Sequence, residues 1–274
     1  MDIFHKIERF YLQTNAEKRV LGYSYFGRPI YAVKAGEGEP VGIAQYAIHG
    51  REWITALLAL KQYAIGTKKG SCWFVPLVNP DGALLSETGL LSTPEEYREG
   101  LIAANGGVRD FSLWKANGRG VDLNVNFDAR WGEGSKNTRS AGRENYIGEA
   151  PFSEPETQAL EKFTKTIRPD YTLSYHTKGE EIYWRFHQDA QRAKRDASLA
   201  KLLAQTTGYA IQEAPGSVGG YKDWCIQQLQ IPSFTIEAGK DVWAHPIRED
   251  KLDEIYKRNA RVIYVLSGAL ERTE

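Results

Sequence analysis

Sulfur, net charge and long apolar runs are all in short supply in this chain. Its 274 residues include two cysteines, Cys72 and Cys225, and a single methionine. Two cysteines make no disulfide framework, and both lie in apolar stretches, which favours buried free thiols. Thirty-five basic residues balance thirty-five acidic ones, so there is no general electrostatic reason to bind nucleic acid or an anionic membrane. No apolar run approaches the roughly 20 residues of a membrane span, and Met1 to His5 lacks the basic-then-apolar order of a secretory leader. These absences predict a cytoplasmic protein acting on a small substrate, with neither nucleic acid nor membrane as partner.

What is present is a large stock of core residues, 42% hydrophobic and 12% aromatic, enough to bury one sizeable core. No repeat, low-complexity tract or linker interrupts it, so the expectation is one α/β domain over residues 1–274. An amphipathic helix opens the chain at Ile3 to Tyr11. Arg19 to Lys34 reads as a hairpin turning at Phe26-Gly27-Arg28-Pro29. Val41 to Ile48 reads as a buried strand, Trp53 to Ile65 as a helix and Cys72 to Val78 as a strand, a crossover unit with a parallel pair. Asn79-Pro80-Asp81-Gly82 is a turn signal, and Val121 to Phe127 a short extended segment. Residues 128–150 form an aperiodic polar loop of the length that carries function. Ser153 to Glu156 has the form of a capping box for a helix to Ile167. Strands are expected at Tyr171–Tyr175, Ile182–Phe186 and Pro232–Ile236. Helices are expected at Ala193–Thr207, Gly220–Leu229 and Leu252–Leu270.

Three ionisable residues, His49, His176 and Glu237, each follow a predicted strand, and strand ends of an open α/β sheet gather along one edge. Glu52 follows His49 at a spacing of three, which lets both side chains face one point on a strand-to-helix turn. Two imidazoles and a carboxylate with an open fourth position is a catalytic zinc arrangement, with ligand distances of roughly 2.0–2.2 Å. Co²⁺ or Mn²⁺ could occupy the same ligands.

Four separated stretches resemble the zinc carboxypeptidase family, the funnelin fold, in order and approximate spacing. They are His49-Gly-Arg-Glu52-Trp53, Gly120-Val121-Asp122-Leu123-Asn124, Ser174-Tyr175-His176 and Ser233-Phe234-Thr235-Ile236-Glu237. Gly22 to Ile30 resembles that family's opening hairpin. The resemblance implies a mixed, mostly parallel central sheet with helices on both faces, and one Zn²⁺ held by His49, Glu52 and His176. It implies Glu237 as general base and acid in amide hydrolysis, and a cation upstream of Gly120 that stabilises the tetrahedral oxyanion, for which Lys115 and Arg119 are the candidates. Asp122 and Asp223 read as structural acceptors, with Asp122 able to orient a ligand imidazole.

The chain also departs from the family. Where the carboxypeptidases proper follow the asparagine of Gly-Val-Asp-x-Asn with a carboxylate-clamping arginine, here Asn124 is followed by Val125, which carries neither charge nor donor. The family's downstream closing tyrosine is missing from Glu213 to Gly220, and Tyr221 follows in a different register. Lys222 falls at the position lining the family's specificity pocket, where a lysine calls for a substrate carboxylate. Lys178 is a second candidate for such a group. This combination looks like the bacterial γ-D-glutamyl-L-diamino-acid peptidase branch, implying a small muropeptide substrate with Asn124, Lys222, Lys178 and Tyr221 around it. Two other readings are a conventional metallocarboxypeptidase using Arg130 or Arg139 in place of the absent arginine, and a zinc protein that binds muropeptides without cutting them. His5, His187 and His245 receive no role.

Overall fold

The computed structural model describes residues 1–213 and 216–270. Its frame is one eight-stranded mixed sheet. In chain order the strands are β1 (Lys18–Tyr23), β2 (Pro29–Gly36), β3 (Val41–Tyr46), β4 (Ser71–Val75), β5 (Tyr171–His176), β6 (Glu181–Tyr183), β7 (Ala210–Gln212) and β8 (Ser233–Glu237). Across the sheet the order is β1-β2-β4-β3-β5-β8-β6-β7. The four central strands β4, β3, β5 and β8 run parallel. Antiparallel partners flank them, β2 beside β4 and β6 beside β8. Strands buried on both faces need no polar alternation, and β4 is buried at all five positions.

Helices cover both faces. α1 (Ile3–Gln13), α2 (Ile54–Tyr63), α6 (Ala190–Thr207), α8 (Leu252–Asn259) and α9 (Val262–Ala269) bury their apolar sides against Ala44, Phe74, Leu173 and Ile236. α5 (Pro155–Ile167) and α7 (Tyr221–Gln228) pack on the other face against Ile43, Trp73 and Val75. α3 (Pro80–Thr88) and α4 (Glu95–Ala104) frame a third cluster around Trp114 and Phe111. Cys72 and Cys225 are free and buried. No helix among the described residues is long and apolar enough to cross a membrane.

Four local expectations are corrected. Asn79-Pro80-Asp81-Gly82 starts α3 rather than a simple turn: the Asn79 side chain accepts the Gly82 N–H at 2.9 Å and Pro80 occupies the first helical turn, where a missing N–H costs nothing. Residues 121–127 are not extended, because the Asp122 carboxylate accepts the Asn124 N–H (3.2 Å) and caps a 3₁₀ turn at Leu123–Val125. The capping box at Ser153 does not form. Ser153 donates to Glu154 (2.8 Å), and Glu156 instead accepts the Tyr25 N–H (3.0 Å). The last helix breaks after Asn259, whose carbonyl accepts from the Gln62 amide (2.7 Å) rather than continuing the helical ladder.

Candidate active site

The ends of β3, β5 and β8 build the site. Their register sets His176 beside Glu237 and Tyr46 beside Tyr175, so the chain leaving β3 passes next to His176. It turns there sharply, with Ala47 at φ +49°, a left-handed conformation that non-glycine residues adopt at a cost. His49 then precedes a 3₁₀ turn, Gly50–Glu52. The Gly50 N–H donates to the Lys115 carbonyl (2.9 Å) and the Arg51 N–H to that of Trp114 (2.7 Å). This close seam requires glycine, because a Cβ at Gly50 would lie 2.4 Å from the Gly82 carbonyl oxygen. Asn79 closes the joint by donating to the carbonyls of Ile48 and Ala116, both at 3.1 Å. The ligand turn and the Lys115 segment are therefore fixed relative to each other by backbone hydrogen bonds and the bridging Asn79 amide.

Three donors converge on one point. His49 Nδ1 lies 2.9 Å from Glu52 Oε1, His176 Nδ1 lies 3.0 Å from Glu52 Oε2, and the two Nδ1 atoms are 3.1 Å apart. All three side chains are buried. Asp122 Oδ1 stands 3.2 Å from His49 Nε2, and because a carboxylate only accepts, it draws the imidazole proton to Nε2. That leaves the Nδ1 lone pair facing a carboxylate oxygen at hydrogen-bond distance, a repulsive arrangement that a cation resolves. The donor set thus fits one zinc ion on the chemistry of its own atoms. Burial works to raise Asp122, yet the charges of Lys115 and His49 hold it far below the usual carboxylate range.

The ligands open into a cleft of about 550 Å³ lined also by Glu237, Lys115 and Asn124. Burial pushes the Glu237 carboxyl up to about 7, with the nearby Glu52 charge acting in the same direction and His176 against it. An acid poised near neutrality is suited to taking and returning protons. Lys115 Nζ sits 3.4 Å from Asp122 Oδ2. Burial alone would depress its pKa, but the Asp122 and Glu52 charges raise it, so Lys115 stays cationic. Arg119 points elsewhere, pairing with Glu149 (2.7 Å) and Glu154 (3.6 Å), and does not line the cleft.

Beyond Glu237 a smaller pocket of about 210 Å³ shares Asn124 and Glu237 with the cleft and is lined by Lys222 and Asp223. These two side chains pair at 2.5 Å. The remaining substrate candidates are placed differently. Tyr221 is fully buried, its hydroxyl bonded to Thr164 (2.8 Å) between α5 and α7, so only its backbone N–H reaches Asn124 (3.2 Å). Lys178 is drawn to Asp241 (3.0 Å). Arg130 holds Glu133 (2.5 Å) and lines a neighbouring cleft, while Arg139 stacks on Trp131, 5.1 Å from the ring centre. Of the segment Glu213 to Gly220, Ala214 and Pro215 lie outside the described residues. Sequence reasoning passed over His245, which lies near enough to feel the charges of Glu52, Arg51 and Lys178; burial depresses it to about 4, leaving it neutral. No local spacing could have signalled it.

Residues 12–260 match the model of the zinc carboxypeptidase family. The chain belongs to the zinc carboxypeptidase family. It is 34% identical over 256 residues to γ-D-glutamyl-L-diamino acid endopeptidase 1 of Lysinibacillus sphaericus, an alignment covering 86% of this chain and 63% of that protein. Murein peptide amidase A of Escherichia coli K12 is 35% identical over 153 residues, 52% of this chain and 56% of the amidase. The fold superposes on bovine thrombin-activatable fibrinolysis inhibitor with a TM-score of 0.76 at 18% identity, covering 98% of this chain and 96% of that one. The zinc carboxypeptidase chain described here thus spans about three-fifths of the first of these relatives.

Proposed function

We propose that the protein is a zinc-dependent peptidase that hydrolyses the γ-D-glutamyl to diamino-acid amide of cell-wall peptides. His49, Glu52 and His176 would hold the zinc ion, which when bound supplies a Lewis acid that polarises the scissile carbonyl and acidifies the attacking water. Glu237, raised towards neutrality by burial, takes the proton of that water and returns it to the departing nitrogen. Because Glu237 delivers this proton, the leaving amine lies on its side of the cleft, towards the Lys222 pocket, and the acyl part lies towards Arg51. Lys115 faces the developing oxyanion, where one well-placed donor contributes about 3 kcal/mol.

The observation that carries the substrate assignment is the Lys222–Asp223 pair beside Glu237, opposite charges 2.5 Å apart on the wall of the leaving-group pocket. The side chain of diaminopimelate ends in an ammonium and a carboxylate, the complement of that pair, and lysine offers the ammonium alone. Val125 removes the guanidinium that the carboxypeptidases proper place beside Asn124, so selectivity falls to the other groups that line the cleft. The name borne by the Lysinibacillus relative supports the same bond. The test is incubation of the zinc-loaded protein with L-Ala-γ-D-Glu-diaminopimelate, with release of free diaminopimelate expected. No release, together with cleavage of N-blocked dipeptides, contradicts the assignment.

A further inference from the structure

Val125 leaves the cleft without a fixed guanidinium next to Asn124, yet the cleft lining carries an exposed cation with no acid partner among the described residues. Lys136 lines the cleft. The other two lysines and arginines on that lining are committed, Lys115 to Asp122 (3.4 Å) and Arg51 to Glu144 (3.8 Å). Lys136 has no acid partner among the described residues. Beside it, Asn137 also lines the cleft, and its Nδ2 is buried with no hydrogen-bond acceptor. Asn124, in the same lining, accepts the Tyr221 N–H through Oδ1 (3.2 Å), which leaves its amide NH₂ available as a donor. An exposed ammonium, a buried amide N–H with no acceptor and a further amide thus line one cleft, and an acceptor-only group there would satisfy the buried donor.

The loop that holds Lys136 is anchored. The Ser135 N–H donates to the Gly216 carbonyl (3.1 Å), and the Asn137 N–H donates to Gly134 (3.2 Å). The Asn137 side chain lies so close over Gly134 that a Cβ there would come within 2.6 Å of its Oδ1. Residues 216 and 217 form the same wall, and Ser217 continues into the Lys222 pocket. The Lys136 wall is therefore attached to the leaving-group side of the site.

We propose that Lys136, with Asn137 and Asn124, binds the α-carboxylate of the leaving diamino acid, doing from the 135–137 loop what Val125 cannot do. This rests on the proposed reading only for which side the amine leaves from; the Lys222–Asp223 pair takes the far end of the same residue. A charge-assisted bond of this kind gives about a tenfold preference for acid over amide.

The experiment compares L-Ala-γ-D-Glu-L-Lys with its C-terminal amide, as a ratio of kcat/KM, in the zinc-loaded wild type, Lys136→Met and Lys136→Arg. The expected result is a preference for the acid of about tenfold in the wild type, lost in Lys136→Met and kept in Lys136→Arg. An unchanged ratio in Lys136→Met overturns the assignment. Calorimetric titration of the same three proteins with L-lysine and L-lysinamide reads the contact without turnover. If neither peptide is cut but lysine binding weakens about tenfold in Lys136→Met and lysinamide binding does not, the cleavage reading fails and the lysine assignment stands. Equal weakening for both ligands, or no binding of either to the wild type at millimolar concentration, overturns it whichever peptide is cut.

Discussion

Two acid clusters hold carboxyls pushed up by burial, but only the one around Glu237 lines the cleft. At the cleft, burial lifts Glu237 to about 7. Behind it, burial and the Asp81 charge lift Glu156 to about 8. Yet Glu156 spends both carboxylate oxygens on structure, accepting the Tyr25 N–H (3.0 Å) and the Asn117 amide (3.1 Å). Asp81 likewise takes Ser24 (2.8 Å), the Phe26 N–H (2.8 Å) and Arg28 (2.6 Å), fastening the β1–β2 hairpin to α3. A displaced pKa therefore marks burial, not function. What separates the clusters is that the cleft residues face open space and each other with lone pairs unsatisfied.

The comparison breaks most sharply at the ligands. His176→Ala should remove the bound zinc, measured as metal content, and with it all detectable turnover; dialysis against a chelator should do the same reversibly to the wild type. Next in size, Glu237→Gln should keep the zinc and lower kcat by about 10²–10⁴-fold. In the wild type kcat/KM should fall as pH drops through about 7, because the base form of Glu237 is lost on protonation. Lys115→Met should cost about 10²-fold in kcat with little change in KM, whereas Arg119→Met, a change outside the cleft, should alter either by less than about twofold, within the range of surface substitutions.

The smallest effect on activity and the clearest on stability belong to Glu156→Gln. The folded-state pKa of Glu156 lies above its ordinary 4.5, so the unfolded chain gives up this proton first as pH rises. Below about 4.5 both states are protonated and the group is neutral in its effect. Between about 4.5 and 8 the wild type should lose stability with rising pH, by at most about 1.4 kcal/mol per unit from this group. The glutamine variant should lack that slope in urea melts at several pH values while keeping turnover within about twofold. A large loss of turnover would mean that the two clusters are coupled.

Much of the metal site is legible in the sequence because each part is local: an apolar strand, then a ligand, with parallel pairing bringing strand ends together. His49, Glu52, His176 and Glu237 meet for that reason. Asp122 also falls where expected, on His49 Nε2. The substrate wall is less legible because its side chains are aimed by distant contacts. Lys178 could not be seen to turn to Asp241, nor Tyr221 to be buried on Thr164. Lys136 sits in an aperiodic loop placed by contacts far along the chain, from Ser135 to Gly216 and from Arg130 to His187. The same holds for the break after Asn259, set by Gln62 from 197 residues away.

The most direct measurement is anomalous diffraction at the zinc edge from crystals of the zinc-loaded protein. The arrangement of His49, Glu52 and His176 predicts one strong peak at roughly 2.0–2.2 Å from both Nδ1 atoms and a Glu52 oxygen, with the Glu237 carboxylate beside it. A peak bound by other residues, or a Glu237 side chain turned out of the cleft, would contradict the account.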